Sequence, residues 1–357
     1  MLTVDTRPDL TPEKTARNDT WVKWLRTLSP INISAFYLLA VLLIIFTVRI
    51  PDLFWSETTF KSLMSEQAIA AMVALALTVP LAAGEYDLSV GPTLGVSGIF
   101  VSWLTVNQGL PWAVACAGGL GLGLVVGAVN ATMVVVFKIH SFIATLAMTS
   151  VLAGVAAMIN QNSDIVVPGT NFVRKLAVGD WLGVPRPFWY MTIIAVVMWY
   201  FLAMTPAGRY LFATGMGSAA ARLAGVRTGR YVFGAFVTSG LLASFAGIIA
   251  LGRIGAASAS TGPPYVLPAF AAAFVGSTQF KRGQFNVWGT LVAVFVLAIG
   301  VKGLLLMQFD SYVQDLFNGV ALALAVGLAS YQVRPKRARS GAKGLRGRFH
   351  STRPAPD

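Results

Sequence analysis

Residues 205–230, TPAGRYLFATGMGSAAARLAGVRTGR, separate two long apolar runs and decide how the chain is placed in a membrane. The stretch has no acidic residue and contains Arg209, Arg222, Arg227 and Arg230. Basic residues in short loops between spans favour the cytoplasmic side of a membrane. We therefore expect 205–230 to be a cytoplasmic loop, and on charge alone it could be no more than an orientation signal.

A short helix is predicted inside this loop at 218–225, SAAARLAG. Ala and Leu have high helix propensity, and Gly217 and Gly225 stand where the helix should begin and end. A short helix at the membrane surface between two spans is suited to contact with a soluble partner.

The composition indicates the class of protein. Of 357 residues, 56% are hydrophobic and only 11% are charged, against roughly a quarter charged in soluble domains. Several continuous apolar runs approach the ~20 residues that cross a bilayer. We predict an all-α, polytopic integral membrane protein with about ten transmembrane helices, occupying 33–332.

The net charge of +13 does not indicate nucleic-acid binding, because no folded basic domain accompanies it. Eight of the 27 basic residues lie in 334–357. We expect 1–32 to be a cytoplasmic segment and 333–357 a disordered cytoplasmic tail near anionic membrane lipid. Both termini are then cytoplasmic. The single cysteine and two histidines are too few for a metal cluster.

The span boundaries are predicted from hydropathy and from turn residues. We expect an outside loop at 51–66 before a span at 67–83, and an outside loop at 160–187 that is rich in Pro, Gly and Trp. The apolar run at 266–280 is short enough to be a broken or half-spanning helix.

Two acids, Glu85 and Asp87, stand beside apolar segments in 84–98, GEYDLSVGPTLGVSG. A carboxylate at membrane depth is a candidate functional group. An ordinary helix cap with solvent access is an equally good explanation, with Ser89 or Asp87 as the N-cap residue.

Three further polar residues are candidates for the translocation path, each with an alternative. Asn130 is better explained by an interhelical hydrogen bond than by cargo contact. Thr145 could instead bond back to the preceding helical turn. Lys302 could line a cavity or extend to the membrane surface from near a helix end. In the same helix as Asn130, glycines at every fourth position predict close helix packing: Gly119, Gly123 and Gly127.

Several segments in order resemble the ribose-type family of ABC sugar permeases. These are 220–258, which begins AARLAGVRTGR, the DLSVG sequence at 87–91, and SFIATL at 141–146. The resemblance covers about 60–330. It implies the permease subunit of an ABC importer for a monosaccharide or related polyol in a bacterial inner membrane.

The resemblance also implies partners. No GxxxxGK[ST] pattern occurs, so ATP and Mg²⁺ belong to a separate ATPase subunit, and this chain has no catalytic residue or cofactor of its own. A periplasmic solute-binding protein and a second permease copy complete the assembly. The residues expected to couple to the ATPase are Gly217, Ser218, Ala220, Ala221, Arg222, Gly225 and Arg227.

A weak internal similarity predicts an inverted repeat. HSFI from His140 is similar to DSYV from Asp310, and each follows an apolar helix that contains glycines. Inverted repeats are typical of transporters. The alternative function is a proton-coupled secondary transporter of a small polar solute, with Asp87, Glu85 or Lys302 as the titrating group. A membrane enzyme is disfavoured because no cluster of catalytic residues is visible.

Overall fold

The computed structural model describes residues 34–161, 163–169, 172–280 and 283–333. The cytoplasmic segment predicted at 1–32 and nearly all of the predicted tail lie outside the described residues. The helices in chain order are α1 (Ser34–Arg49), α2 (Pro51–Phe54), α3 (Glu57–Ala82), α4 (Val90–Ser102), α5 (Trp112–Val135), α6 (Ser141–Asn160), α7 (Phe172–Ala177), α8 (Arg186–Met204), α9 (Pro206–Met216), α10 (Ser218–Leu223), α11 (Thr228–Ile254), α12 (Val266–Thr278), α13 (Val287–Leu306) and α14 (Tyr312–Val333).

Short elements fill the connections. A π-helical turn at Trp103–Asn107 extends α4, and 3₁₀ turns lie at Ala259–Thr261 and Pro263–Tyr265. Among the described residues, four strands of two residues each form two antiparallel pairs, β1 with β4 and β2 with β3. They are β1 (Ile165–Val166), β2 (Asp180–Trp181), β3 (Val184–Pro185) and β4 (Ala256–Ala257).

Six of the described helices are long and apolar enough to cross a membrane: α3, α5, α6, α8, α11 and α13. Shorter apolar segments occur at Tyr37–Arg49 and Tyr312–Gly327. Helices α4 and α12 have 13 residues each, which is about 20 Å of helix against a hydrocarbon core of about 30 Å. The all-α polytopic class is confirmed, and the number of about ten membrane helices stays a prediction.

The outside loop predicted at 51–66 is wrong, because α2 and the first turns of α3 occupy it. Ser56 caps α3: its hydroxyl accepts a hydrogen bond from the Thr59 backbone N–H at 3.2 Å. The polar first turns of α3 lowered the local hydropathy, and hydropathy alone does not detect a capped helix. The short helix predicted at 266–280 is present as α12, Val266–Thr278.

The order of helices repeats in two halves. Helices α3 to α6 have 26, 13, 24 and 20 residues, and helices α11 to α14 have 27, 13, 20 and 22. The first helices of the halves run antiparallel, since Glu66 in α3 contacts Arg253 near the end of α11, while Asp87, beyond α3, contacts Ser239 in the first half of α11. The similar sequences that begin at His140 and Asp310 span the starts of α6 and α14, which are equivalent helices in this order.

Helix α11 lies at the centre of the fold and packs against α3, α4 and α5. The glycine row of α5 permits the last of these contacts. A Cβ atom on Gly123 would lie 2.4 Å from the Gly240 carbonyl oxygen, and one on Gly127 would lie 2.5 Å from that of Phe236. The close packing predicted from the glycine spacing is confirmed.

Candidate functional site

The loop at 205–230 folds as two helices, α9 and α10. The predicted short helix is present as α10, Ser218–Leu223. Gly217 is its N-cap residue, and Gly225 follows it with φ +83° in the left-handed region that favours glycine. The arrangement holds α10 as a separate turn between α9 and α11.

One side of α10 faces away from the protein. Ala221 is buried, whereas Leu223 is 92% exposed and Met216, just before α10, is 73% exposed. The remaining predicted coupling side chains on α10 and before α11 are exposed too, namely those of Ser218, Ala220, Arg222 and Arg227. An apolar side chain so fully exposed is available to a partner.

The end of α9 lies directly on the chain that leaves α3. A Cβ atom on Gly215 would lie 2.3 Å from the Ala82 carbonyl oxygen and 2.9 Å from the Gly84 nitrogen. The two backbones are therefore in contact with no side chain between them. The contact joins α9 to the segment that follows α3.

That segment, residues 83–89, joins α3 to α4 and is held by a buried network centred on Asp87. Asp87 is only 2% exposed. Its Oδ2 accepts a hydrogen bond from the Ser239 hydroxyl of α11 at 2.7 Å. Its Oδ1 accepts from the Ser89 hydroxyl at 2.6 Å and from the Ser89 backbone N–H at 3.0 Å. Three donors on one carboxylate offset the cost of burying it.

Helices α5 and α6 complete the network. The Asn130 side chain donates to the Ser89 hydroxyl at 2.8 Å. The Thr145 hydroxyl accepts from the Leu88 backbone N–H at 3.1 Å, and the Ser141 hydroxyl accepts from the Tyr86 backbone N–H at 3.1 Å. The backbone between α3 and α4 is thus attached to three other helices.

The structure brings together four of the five residues that the sequence singled out for the path. Asp87, Ser89, Asn130 and Thr145 are each at most 2% exposed, so they face one another and no open cavity. The geometry of Asn130 favours the interhelical hydrogen bond over cargo contact. Thr145 also bonds back to the Ser141 carbonyl at 2.8 Å, so its alternative explanation holds beside the network contact.

The prediction that Ser89 is the N-cap residue of α4 is confirmed. Its hydroxyl makes no capping hydrogen bond, because it accepts from Asn130 and donates to Asp87. The solvent-accessible Asp87 of the alternative explanation is contradicted by the burial of that residue. Sequence reasoning missed Ser239, whose only signal was a hydroxyl within an apolar helix.

Lys302 lies elsewhere, at the end of the molecule remote from α10. Its Nζ is 3.6 Å from Oε2 of Glu66, while Oε1 of Glu66 accepts from Arg253 at 2.9 Å. Arg253 Nε also donates to the Ser65 hydroxyl at 3.0 Å. This ion cluster joins α3, α11 and α13. Sequence reasoning missed Glu66 and Arg253 as partners, because their separation of 187 positions carries no local pattern.

A basic cleft adjoins α10. Its volume is about 800 Å³, and it lies between the end of α5, the loop before α11 and residues 83–85. Its described lining has one acid, Glu85, and four basic side chains, those of Lys138, Arg222, Arg227 and Arg230. The face around the exposed helix is therefore positively charged, which suits an acidic partner surface.

The apolar helices and the similarity to known permeases indicate a multi-pass protein of the inner membrane. The family described as "Branched-chain amino acid transport system / permease component" matches residues 60–328, and the chain belongs to this family. The resemblance to ABC importer permeases is thereby confirmed.

Individual relatives are similar over most of their length. The chain is 33% identical to the ribose import permease protein RbsC of Escherichia coli K12 over 294 residues, which cover 81% of this chain and 90% of the relative. It is 25% identical to the D-allose transport system permease protein AlsC of the same strain, over 82% and 90% of the two chains. It is 28% identical to the fructose import permease protein FrcC of Rhizobium meliloti, over 81% and 82%. No solved structure gives a significant match.

Proposed function

We propose that this chain is the membrane-spanning subunit of an ABC importer that moves a monosaccharide or related polyol, with ATP hydrolysed on a separate ATPase subunit. The observation that carries the proposal is the exposed helix α10, which is continuous through α9 with the backbone of 82–84 and so with the buried network. The sugar class is supported by relatives whose names specify ribose, allose and fructose.

The ATPase would bind α10. Leu223 and Met216 offer apolar surface at the centre, and the arginines of the basic cleft surround them. Interfaces of this kind pair an apolar centre with a polar rim, and charge complementarity fixes the orientation. The partner should therefore present an apolar groove edged with acidic side chains, with ATP and Mg²⁺ bound in its own chain.

Movement of α10 would be transmitted to the membrane helices through close backbone contacts and buried hydrogen bonds. When the ATPase moves α10, the contact of Gly215 with Ala82 displaces residues 83–89, and the Asp87 network transfers the displacement to α5, α6 and α11. The coupled unit then changes as a rigid body between two packings, one of which ATP favours. In this mechanism Asp87 and Asn130 are positioning residues that hold 83–89 against α5 and α11.

The positions of the other partners follow from the proposed orientation of the two ends. With α10 in the cytoplasm, the segment at 160–187 and its β2–β3 pair face the periplasm, where a solute-binding protein would dock. Both chain termini are then cytoplasmic, and the two antiparallel halves form an inverted repeat. A second permease copy completes the translocation path.

A charge substitution at the tip of α10 tests this function. Leu223→Asp should lower ATPase copurification and ATP-driven sugar uptake at least about tenfold, because it places a charge in the apolar centre of the interface. The matched control for ATPase copurification is Leu182→Asp, since Leu182 is also 92% exposed but lies between β2 and β3. Equal ATPase copurification by the two variants would remove α10 from the mechanism.

The proton-coupled alternative predicts a different dependence. Uptake by that route would continue without the ATPase and stop when an uncoupler collapses the proton gradient. The wild-type chain expressed with and without the ATPase, each with and without uncoupler, distinguishes the two functions.

A further inference from the structure

A polar cavity lies at the end of the molecule remote from α10. Its volume is about 360 Å³, within the usual range for small-molecule sites, and it lies between α3, α12, α13, α14 and the two 3₁₀ turns. The hydrogen-bonding side chains that line it come from both halves of the fold: Glu66, Gln67, Ser260, Thr261, Tyr265, Gln314 and Asn318.

Asn318 gives the strongest sign that a ligand belongs here. It is only 6% exposed and lines the cavity. Within the described part of the chain, neither its amide nor the half-buried amides of Gln67 and Gln314 form a hydrogen bond with the protein, and all three line the cavity. An amide at a cavity wall without a protein partner pairs with water or with a polar solute, so these three groups mark the cavity as a polar site.

The charges of the lining indicate a neutral solute. Glu66 is the one ionised group among the described lining residues, and Arg253 and Lys302 already pair with both of its oxygens. Neither of those two cations lines the cavity. A free carboxylate or phosphate would therefore find no unpaired cation, which disfavours an amino acid or a sugar phosphate.

The lining suits a polyhydroxylated molecule. Each sugar hydroxyl both donates and accepts, and the amides of Asn and Gln offer both kinds of partner. The ring of Tyr265 adds a flat apolar face for the C–H side of a sugar ring. By contrast, the apolar groove of about 750 Å³ between α1, α8 and α13 is walled mainly by aromatic and aliphatic side chains, such as Phe188, Trp199 and Leu291.

We propose that this outer polar cavity binds an uncharged monosaccharide or polyol on its way through the protein, with Asn318, Gln67 and Gln314 as its hydrogen-bonding residues. The inference rests on the proposed function and names a site for it. The Glu66 carboxylate, fixed by the ion cluster, supplies a further acceptor. The cavity thereby ties solute binding to helices of both halves.

Uptake by the complete transporter in vesicles tests the site, with radiolabelled D-ribose, D-allose and D-fructose as probes. Asn318→Ala and Gln67→Ala should each lower the uptake rate about three- to tenfold, the loss expected from one or two hydrogen bonds. The matched controls are Asn107→Ala and Gln108→Ala, both at exposed positions after α4. ATP hydrolysis stimulated by the sugar-loaded binding protein should stay at the wild-type rate in all four variants.

A labelling experiment tests the cavity independently, in case the Asn318 and Gln67 variants do not assemble into a transporter. In a Cys116→Ala background, which removes the single cysteine, Thr261→Cys should react with a small maleimide, and a transported sugar in excess should slow the reaction. No slowing, or uptake by the Asn318 and Gln67 variants equal to the controls, would overturn the cavity site while the importer function stands. A wild-type transporter that moves none of the three sugars while moving another class of solute would overturn the function itself.

Discussion

The two charged ends of the molecule hold their helices together in opposite ways. At the end that carries α10, the inner end of the proposed orientation, the Asp87 network is at most 2% exposed and its carboxylate is paired with neutral donors. At the opposite end, the outer end of that orientation, Glu66 is 38% exposed and is paired with two cations beside a polar cavity. Burial makes the inner contacts rigid, whereas water competes for the outer ones. The difference suits a stiff connection to a moving partner at one end and a polar path for solute at the other.

The largest effect is expected where backbones touch at the inner end. Gly215→Leu should abolish uptake, because any Cβ there would lie 2.3 Å from the Ala82 carbonyl oxygen and must push α9 away. Gly234→Leu is the control, since an added Cβ there meets nothing within 4 Å. Uptake assays on membranes with equal amounts of each variant make the comparison, and normal uptake by Gly215→Leu would show that this contact transmits nothing.

The next effect concerns the buried carboxylate. Asp87→Leu removes the acceptor of Ser239 and Ser89, so it should cost about 2–4 kcal/mol of stability from donors left unpaired, seen as a lower midpoint of thermal unfolding in detergent. Asp87→Asn keeps the shape and one acceptor and should cost less.

The same pair of variants sharpens the choice of function. If the protein is an ATP-driven importer, Asp87→Asn retains part of its uptake. Complete loss of uptake in a well-folded Asp87→Asn protein, together with sensitivity of the wild type to an uncoupler, would instead identify Asp87 as a proton carrier.

A smaller effect is expected at the outer ion cluster. Glu66→Gln leaves Arg253 and Lys302 without their shared acid, but partial exposure lets water and salt screen them, so the loss should be about 0.5–1 kcal/mol. The loss should shrink further at high salt. A loss as large as that of Asp87→Leu would mean that the two ends do not differ as described.

The smallest effect is expected at the exposed pairs near the β2–β3 hairpin. Lys61 contacts Glu57 at 2.8 Å and Asp180 at 2.9 Å. Because these groups are open to water, Lys61→Met should leave the midpoint of thermal unfolding unchanged within error. A clear drop would show that the hairpin depends on this contact.

Local patterns predicted the parts of the fold that local physics controls. The apolar runs predicted the helices, Gly217 and Gly225 predicted the position of α10, and the spacing of Gly123 and Gly127 predicted where α5 packs closely. The prediction of a loop at 51–66 was wrong, because hydropathy does not distinguish a capped helix with polar first turns from a loop.

The sequence by itself determined that this chain is a helical membrane permease, because composition, apolar run length and family motifs are properties of the chain read in order. Only the tertiary structure decided that Asp87 meets Ser239 and Ser89 meets Asn130, that Glu66 meets Arg253 and Lys302, and that Asn318 lines a cavity. These contacts join residues far apart in the chain, and their energies depend on burial, which arises only when the two halves pack against each other.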